Sequence, residues 1–393
     1  MNRIGAGIRI AIVGAGPGGL ALVRLLQVQG LRPTIYERDA SVTARPQGGS
    51  LDLHQEDGLL AVREAGLYNQ FLKHARFEGQ QTRILDKYAN LLLDDKDVVG
   101  PDHKDARPEI DRKDLRDILL SSLLPNTAQW GRTLESVAPA LGGGHALTFR
   151  DGHTEAADLV VGADGAWSKV RASALTGALP GYTGYFFVDA AIPNVDTRWP
   201  AVGNLVGQGS AFVLGDGKVL LPQRNGGGIL RVYFARRGSE EDADVFARDV
   251  LSRGTVAVRD ALLEHYAGWA PDILDIVRAC EGADIVLRKI FSFPPSHSWP
   301  RTKGVTLLGD AAHVMTPFSG AGVNMALADA MDLAAAIKRI VAGGTDLGTA
   351  LEEYEKKIMA RAEEHLAEGT SFADIAFSHD AAERMSRALN TSH

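Results

Sequence analysis

The stretch Ile8-Arg9-Ile10-Ala11-Ile12-Val13-Gly14-Ala15-Gly16-Pro17-Gly18-Gly19 decides the fold. Its first half is a short β-branched run without polar alternation, the pattern of a parallel strand buried on both faces. A glycine turn follows at once, and residues 20–29 carry a helical apolar period that ends at Gly30, where a left-handed residue can close a helix. Residues 33–37 read as a second strand, so the N-terminus is a βαβ unit. In Gly14-x-Gly16-x-x-Gly19, Gly14 permits the tight turn, Gly16 lets the backbone approach a pyrophosphate, and Gly19 lets helix and strand pack closely. The start of the helix offers free N–H groups and a partial positive charge to phosphates. Glu37, at the end of the second strand, is placed to accept from ribose hydroxyls. A carboxylate there repels a 2′-phosphate, so the turn suits FAD or NAD rather than NADP.

Outward from this unit, residues 51–75 and 112–124 read as helical, the latter through Leu115, Ile118, Leu119 and Leu123 on one face. Strands are expected at 145–150 and 157–163. From 177 to 235 short extended pieces broken by Gly, Pro and Asn predict an antiparallel sheet. Helical texture covers 243–280, a strand 304–308, and helices 321–341 and 347–368. The fold class is α/β: a Rossmann-like dinucleotide-binding domain of residues 1–76, 104–176 and 285–342. An antiparallel-sheet domain of residues 77–103 and 177–284 interrupts it, and a long helix occupies the C-terminal segment 343–393.

The chain has 393 residues, 45% hydrophobic and 23% charged, enough for a large core without staples. Its net charge of -7 argues against nucleic acid or an anionic membrane as partner. Cys280 is the only cysteine, which excludes an intramolecular disulfide and a cysteine-based metal site. Arg3 and Arg9 flank apolar residues as in a secretory signal, but glycines interrupt the run early and no good small-x-small cleavage site follows. No stretch approaches the roughly 20 apolar residues that span a bilayer, so a cytoplasmic location is expected. The oligomeric state is left open, and a monomer is compatible with the sequence.

A second motif runs Asp158-Leu159-Val160-Val161-Gly162-Ala163-Asp164-Gly165, then Ser168 and Arg171. On its own it also reads as a strand, a glycine turn and a serine-capped helix with a surface arginine. The third is Gly309-Asp310-Ala311-Ala312-His313, followed by Pro317, Phe318, Gly320, Gly322, Val323 and Asn324. Asp310 at a strand end suits the hydroxyls of a ribityl chain, and Pro317 makes a rigid wall. Gly320 and Gly322 open a helix whose first amides can face an electron-rich ring edge, as an oxyanion hole does. His313 reads as structural rather than catalytic.

These motifs in this order resemble the class A flavoprotein monooxygenases, the para-hydroxybenzoate hydroxylase-like group. The likeness spans nearly the whole chain, including residues 48–54 and 108–116, and is greatest to the flavin-dependent tetracycline-inactivating hydroxylases. It implies bound FAD on Gly14, Gly16, Gly19, Glu37, Arg38, Arg45, Arg116, Asp164, Asp310, Pro317, Gly320, Gly322, Val323 and Asn324. Arg116 should meet the phosphate–ribose region. By the same resemblance NADPH or NADH reduces the flavin transiently, O2 adds, and a C4a-hydroperoxide hydroxylates a small aromatic or polyketide-like substrate; no catalytic side chain or metal is implied. Substrate contacts fall on Asn204, Arg231, Pro317, Phe318 and Gly320. Asn204 and Arg231 stand where the tetracycline enzymes carry Gln and His, and Ala321 where they carry Gln, which puts tetracycline itself in doubt and leaves antibiotic resistance as a hypothesis. Arg231 reads equally as a binder of a carboxylate or enolate and as a surface strand residue. Other readings stay open: a reductase of the geranylgeranyl reductase type, which shares the third motif and needs no oxygen, and a flavin-binding protein without turnover.

Overall fold

The computed structural model describes residues 7–44 and 48–390. The apolar run becomes the strand Ile10–Val13, buried throughout, at the centre of a five-stranded sheet. Its parallel neighbours are Leu159–Gly162 on one side and Thr34–Tyr36 on the other; Val305–Leu307 and Ala128–Gln129 complete the edges. The helix Pro17–Val28 packs against the long helix Gly322–Val341, and the core between them is built from aliphatic residues such as Ile12, Leu20, Leu22, Val161, Leu327 and Leu333.

A separate seven-stranded sheet holds, in order, Glu281–Ser292, Gly181–Ile192, Leu230–Arg237, Lys218–Arg224, Ser210–Gly215, Thr82–Asp86 and Leu91–Asp95. All pairings are antiparallel except that of Ser210–Gly215 with Thr82–Asp86. Strand alternation gives the sheet two different faces. Leu230, Val232 and Phe234 point into a layer of helices that includes Pro200–Val206 and Pro271–Ala279. Tyr233 and Ala235 point the other way, with Tyr185, Phe187 and Phe318.

Some elements differ from the sequence reading. The strand Glu281–Ser292 pairs with Gly181–Ile192, so this sheet runs to residue 292 rather than ending at 284. Residues 51–75 are not one helix: Ser50–Asp52 is a strand that pairs with Glu109–Asp111, and only Gly58–Glu64 and Tyr68–Phe71 are helical. The C-terminal segment is two helices, Leu347–Ala376 and Ala381–Asn390. Among the described residues no helix is long and apolar enough to cross a membrane.

Candidate active site

The cleft is built first from the glycine turn. Gly14 has φ +106°, and a Cβ there would lie 2.2 Å from the Ala163 carbonyl oxygen; at Gly19 it would lie 2.2 Å from the Gly14 carbonyl oxygen. These two glycines are required by the protein's own backbone. A Cβ at Gly16 meets nothing within 4 Å, so its side faces open space. The helix that Gly16 caps carries no side-chain cap and no acidic residue in its first turn, which leaves its N-terminus suited to an anion. Glu37 is buried, accepting from the Ala15 N–H (2.7 Å) and the Asp39 N–H (3.0 Å). A carboxylate has about four acceptor positions, so room remains for ribose hydroxyls. Arg38 is exposed beside it.

Arg116 supports the turn from behind. It is 2% exposed, donates to the carbonyls of Ala15 (3.2 Å) and Val42 (3.0 Å), and lies 4.0 Å from Asp39. The Asp164 carboxylate accepts from Ser168 Oγ (2.5 Å) and the Lys169 N–H (2.7 Å), capping the helix Lys169–Ala174. Gly165 beside it has φ +80° and open space. Arg171 is fully buried, not a surface residue, and donates to the carbonyls of Ala311 (2.7 Å) and Ala166 (2.6 Å). It therefore bolts the second motif to the third.

Asp310 follows the strand Val305–Leu307 and makes no hydrogen bond among the described residues. Its surroundings desolvate it and raise its pKa, while His313 and Arg112 oppose the shift. Gly320 (φ +68°) and Gly322 both border open space at the start of the long helix. Pro317 and Gly320 are exposed, whereas Val323 is buried. Asn324 is 1% exposed and ties the start of that helix to the neighbouring strand, accepting from the His54 N–H (3.0 Å) and donating to the Asp52 carbonyl (2.9 Å). His313 is structural: its Nε2 pairs with Asp329 at 2.7 Å, both fully enclosed.

The opposite wall is the open face of the second sheet. Gly49 lies where a Cβ would meet Tyr233 Oη at 2.3 Å, Arg231 Cδ at 3.3 Å and Gln223 Oε1 at 3.4 Å, so sheet and cleft loop touch there. Arg231 pairs with Asp189 at 2.7 Å, and Arg288 pairs with the same carboxylate at 2.8 Å. Phe318 closes the far side in an aromatic cluster, with ring centroids 5.5 Å from Tyr185, 5.7 Å from Phe187 and 6.0 Å from Phe377. An extended, phosphate-bearing ligand with an aromatic head fits this run of open glycines, uncapped helix N-terminus and unbonded carboxylate.

A sequence model of the FAD-binding domain matches residues 8–269 and 298–368. Over 98% of both chains, the sequence is 30% identical to the protein called monooxygenase penA of Penicillium thymicola. The chain belongs to the FAD-dependent monooxygenases. Solved structures with the same fold include Klebsiella pneumoniae HpxO complexed with FAD and uric acid (22% identity, 99% of this chain and 94% of that one, TM-score 0.79). The tetracycline destructase Tet(55) is another (22% identity, 100% and 96%, TM-score 0.71).

In this monooxygenase the expected residues do not all converge. Gly16, Gly320 and Gly322 border open space, and Arg231 lies on the sheet face that meets Gly49. Asn204 does not join them. It is exposed on the helix Pro200–Val206, on the helix-covered side of the sheet, and lines a cavity of about 360 Å³ with Gln81, Arg83 and Lys96. Arg45 lies outside the described residues.

Sequence reasoning missed Glu109. The register of Ser50–Asp52 with Glu109–Asp111 sets Glu109 opposite Asp52. Glu109 is buried, accepts from Ser50 Oγ, and faces Gln223 Nε2 at 3.4 Å. Burial first, and the Asp52 carboxylate second, push its pKa up to about 8 against the pull of Ser50, Arg76 and Gln223. Only a strand pairing far apart in sequence could have revealed this. The unfolded chain loses the Glu109 proton near its ordinary value of 4.5, the folded chain near 8. Folding stability through this group therefore falls as pH rises between those values. Glu109→Gln should leave Tm unchanged at pH 4 and raise it at pH 8, by about 4 kcal/mol of stability. Thermal unfolding at the two pH values checks this; an equal shift at both contradicts it.

Proposed function

We propose that this monooxygenase hydroxylates a small, electron-rich aromatic or polyketide-like molecule, using NAD(P)H and O2. The observation that carries the reading is the wall facing the FAD cradle, where a positively charged polar patch adjoins an aromatic one. Arg231 and Arg288 share the single buried carboxylate of Asp189, leaving one net positive charge beside the Tyr233 hydroxyl. Such a patch favours a phenolic or enolic oxygen, held as the anion. Phe318, Tyr185 and Phe187 offer ring edges and faces to an aromatic body.

FAD, when bound, would supply the redox chemistry. Gly14, Gly16 and Gly19 would hold its pyrophosphate, Glu37 its ribose, Asp310 its ribityl hydroxyls, and the amides after Gly320 its ring edge. Arg116 keeps the glycine turn in shape. Pro317 and Phe318 shield the reacting face from water. Arg231 and Tyr233 orient the substrate oxygen, which places an electron-rich carbon toward the ring.

A panel of phenols, quinolones, aromatic acids and polyketides, tetracycline among them, tests the reading. A substrate should speed NADPH or NADH oxidation and O2 uptake together and gain one oxygen atom by mass spectrometry. Stimulated cofactor oxidation with a saturated double bond and no O2 uptake overturns it in favour of a reductase.

A further inference from the structure

Asp111 ends the strand Glu109–Asp111 and is the N-cap residue of the helix Arg112–Ser121. An aspartate at that position ordinarily accepts from the first free N–H groups of its own helix. This one makes no such bond. Its carboxylate turns instead to the second sheet, accepting from the Gly226 N–H (3.1 Å to each oxygen) and from Asn225 Nδ2 (3.4 Å), and it pairs with Arg76 at 2.8 Å. Gly226 heads the turn Gly226–Gly228 that joins the strands Lys218–Arg224 and Leu230–Arg237. Its φ lies outside the left-handed region, so its backbone does not call for glycine. A Cβ there would lie 2.7 Å from Asp111 Oδ2 and 3.3 Å from Arg76 Nη1. The missing side chain is what lets the carboxylate approach.

The contact repeats two residues back on both sides, where Gln223 Nε2 reaches Glu109 Oε1 at 3.4 Å. Gln223 stands directly across the ladder from Arg231. Both crowd Gly49, where a Cβ would meet Arg231 Cδ at 3.3 Å and Gln223 Oε1 at 3.4 Å. Gly49 leads into Ser50–Asp52, the strand paired with Glu109–Asp111. The two-stranded ribbon and the tip of the sheet hairpin therefore interlock, and Asp111 is the charged end of the seam. Resting on the substrate reading above, we infer that Asp111 is a positioning residue that acts through the hairpin tip to hold Arg231 against the Gly49 loop, and so sets where a bound substrate oxygen lies. A misplacement of about 1 Å can cost a reaction on the order of 100-fold, so a slack tip should show in catalysis more than in cofactor binding.

Asp111→Ser separates helix capping from this contact, because serine caps a helix as well as aspartate does but is too short to reach Gly226. In the full chain, hydrogen exchange of peptides covering residues 224–230 should become about tenfold faster, and that of peptides covering residues 14–19 should not change. FAD affinity should stay within about twofold of wild type. With FAD, NADPH and the panel compound that wild type hydroxylates best, product formed per NADPH oxidised should fall about tenfold. Asp111→Asn, which still accepts from the Gly226 N–H, should recover most of both effects. Gly226→Ala should reproduce them from the other side of the seam. Added to Asp111→Ser it should make neither worse, since the carboxylate that its methyl would strike is gone. The inference is overturned if either exchange at 224–230 or the product yield is unchanged in Asp111→Ser, or if FAD affinity falls as far as the yield. A wild-type protein that hydroxylates no panel compound overturns the function proposed above instead, and unchanged exchange in Asp111→Ser would still overturn the contact itself.

Discussion

Gly16→Val is expected to yield a folded protein that purifies without colour and takes up FAD at least 100-fold more weakly than wild type. The reason is the direction in which a side chain would point. A Cβ at position 16 meets no protein atom within 4 Å, so the fold accommodates it. Val is a poorer helix N-cap than Gly, and the cost to the helix is on the order of 1 kcal/mol. The same branched side chain fills the approach to the uncapped helix N-terminus and holds a pyrophosphate off the N–H groups. A hundredfold loss is about 2.8 kcal/mol, within reach of several charge-assisted hydrogen bonds broken together. Gly14→Ala is the contrasting case. Its Cβ would lie 2.2 Å from the Ala163 carbonyl oxygen at φ +106°, so the two strands must separate and the protein should lose stability whether or not FAD is present. Equilibrium titration of apo-protein with FAD, beside a circular dichroism melt, distinguishes the two. A Gly16→Val protein that binds FAD like wild type shows that the pyrophosphate does not lie over this turn.

The contrast also explains what the sequence could and could not reveal. Gly14, Gly16 and Gly19 were legible because their roles are local, set by a strand, a turn and a helix contiguous in the chain. The placing of Asp310 after a strand, and of Gly320 and Gly322 at the start of a helix, was legible for the same reason. The strand Ser50–Asp52 was not, because it is a strand only through its pairing with Glu109–Asp111. Its sequence neighbours carry helical spacing that hid it. Arg112 and Arg116 lie one turn apart on the same helix, and periodicity cannot decide which is absorbed by backbone carbonyls. Asn204 and Arg231 seemed to share a substrate site, yet a sheet separates them. Arg231 points from its strand toward the cleft, while Asn204 rides on a helix covering the other face. Arg171 also read as a surface cation because its acceptors are carbonyls of its own motif and of the third, and carbonyls leave no mark in a sequence.

The largest stability effect should come from Asp329, which no motif singled out. It is fully buried and receives His313 Nε2 (2.7 Å), Arg361 (2.8 Å) and the Gly309 N–H (2.9 Å). It thus joins the third motif, the long helix and the C-terminal helix at one carboxylate. Asp329→Asn removes the countercharge from two enclosed cations, and breaking a buried pair in this way costs about 3–5 kcal/mol. The loss depends on pH. Burial works against both charges, but their mutual attraction lowers the Asp329 pKa and raises that of His313. The carboxylate's contribution is present above its unfolded pKa of about 3.9 and disappears as pH falls. The imidazolium's contribution is full below its unfolded pKa of about 6.5 and is lost as pH rises through the raised folded value. The pair therefore stabilises most between those two limits. Urea unfolding should show the deficit of Asp329→Asn larger at pH 5 than at pH 9. Because Gly309 immediately precedes Asp310, the variant should also hold FAD less tightly at both. Equal deficits at the two pH values mean that His313 is neutral in the folded protein, and an Asp329→Asn protein as stable as wild type means that the three-way contact does not form.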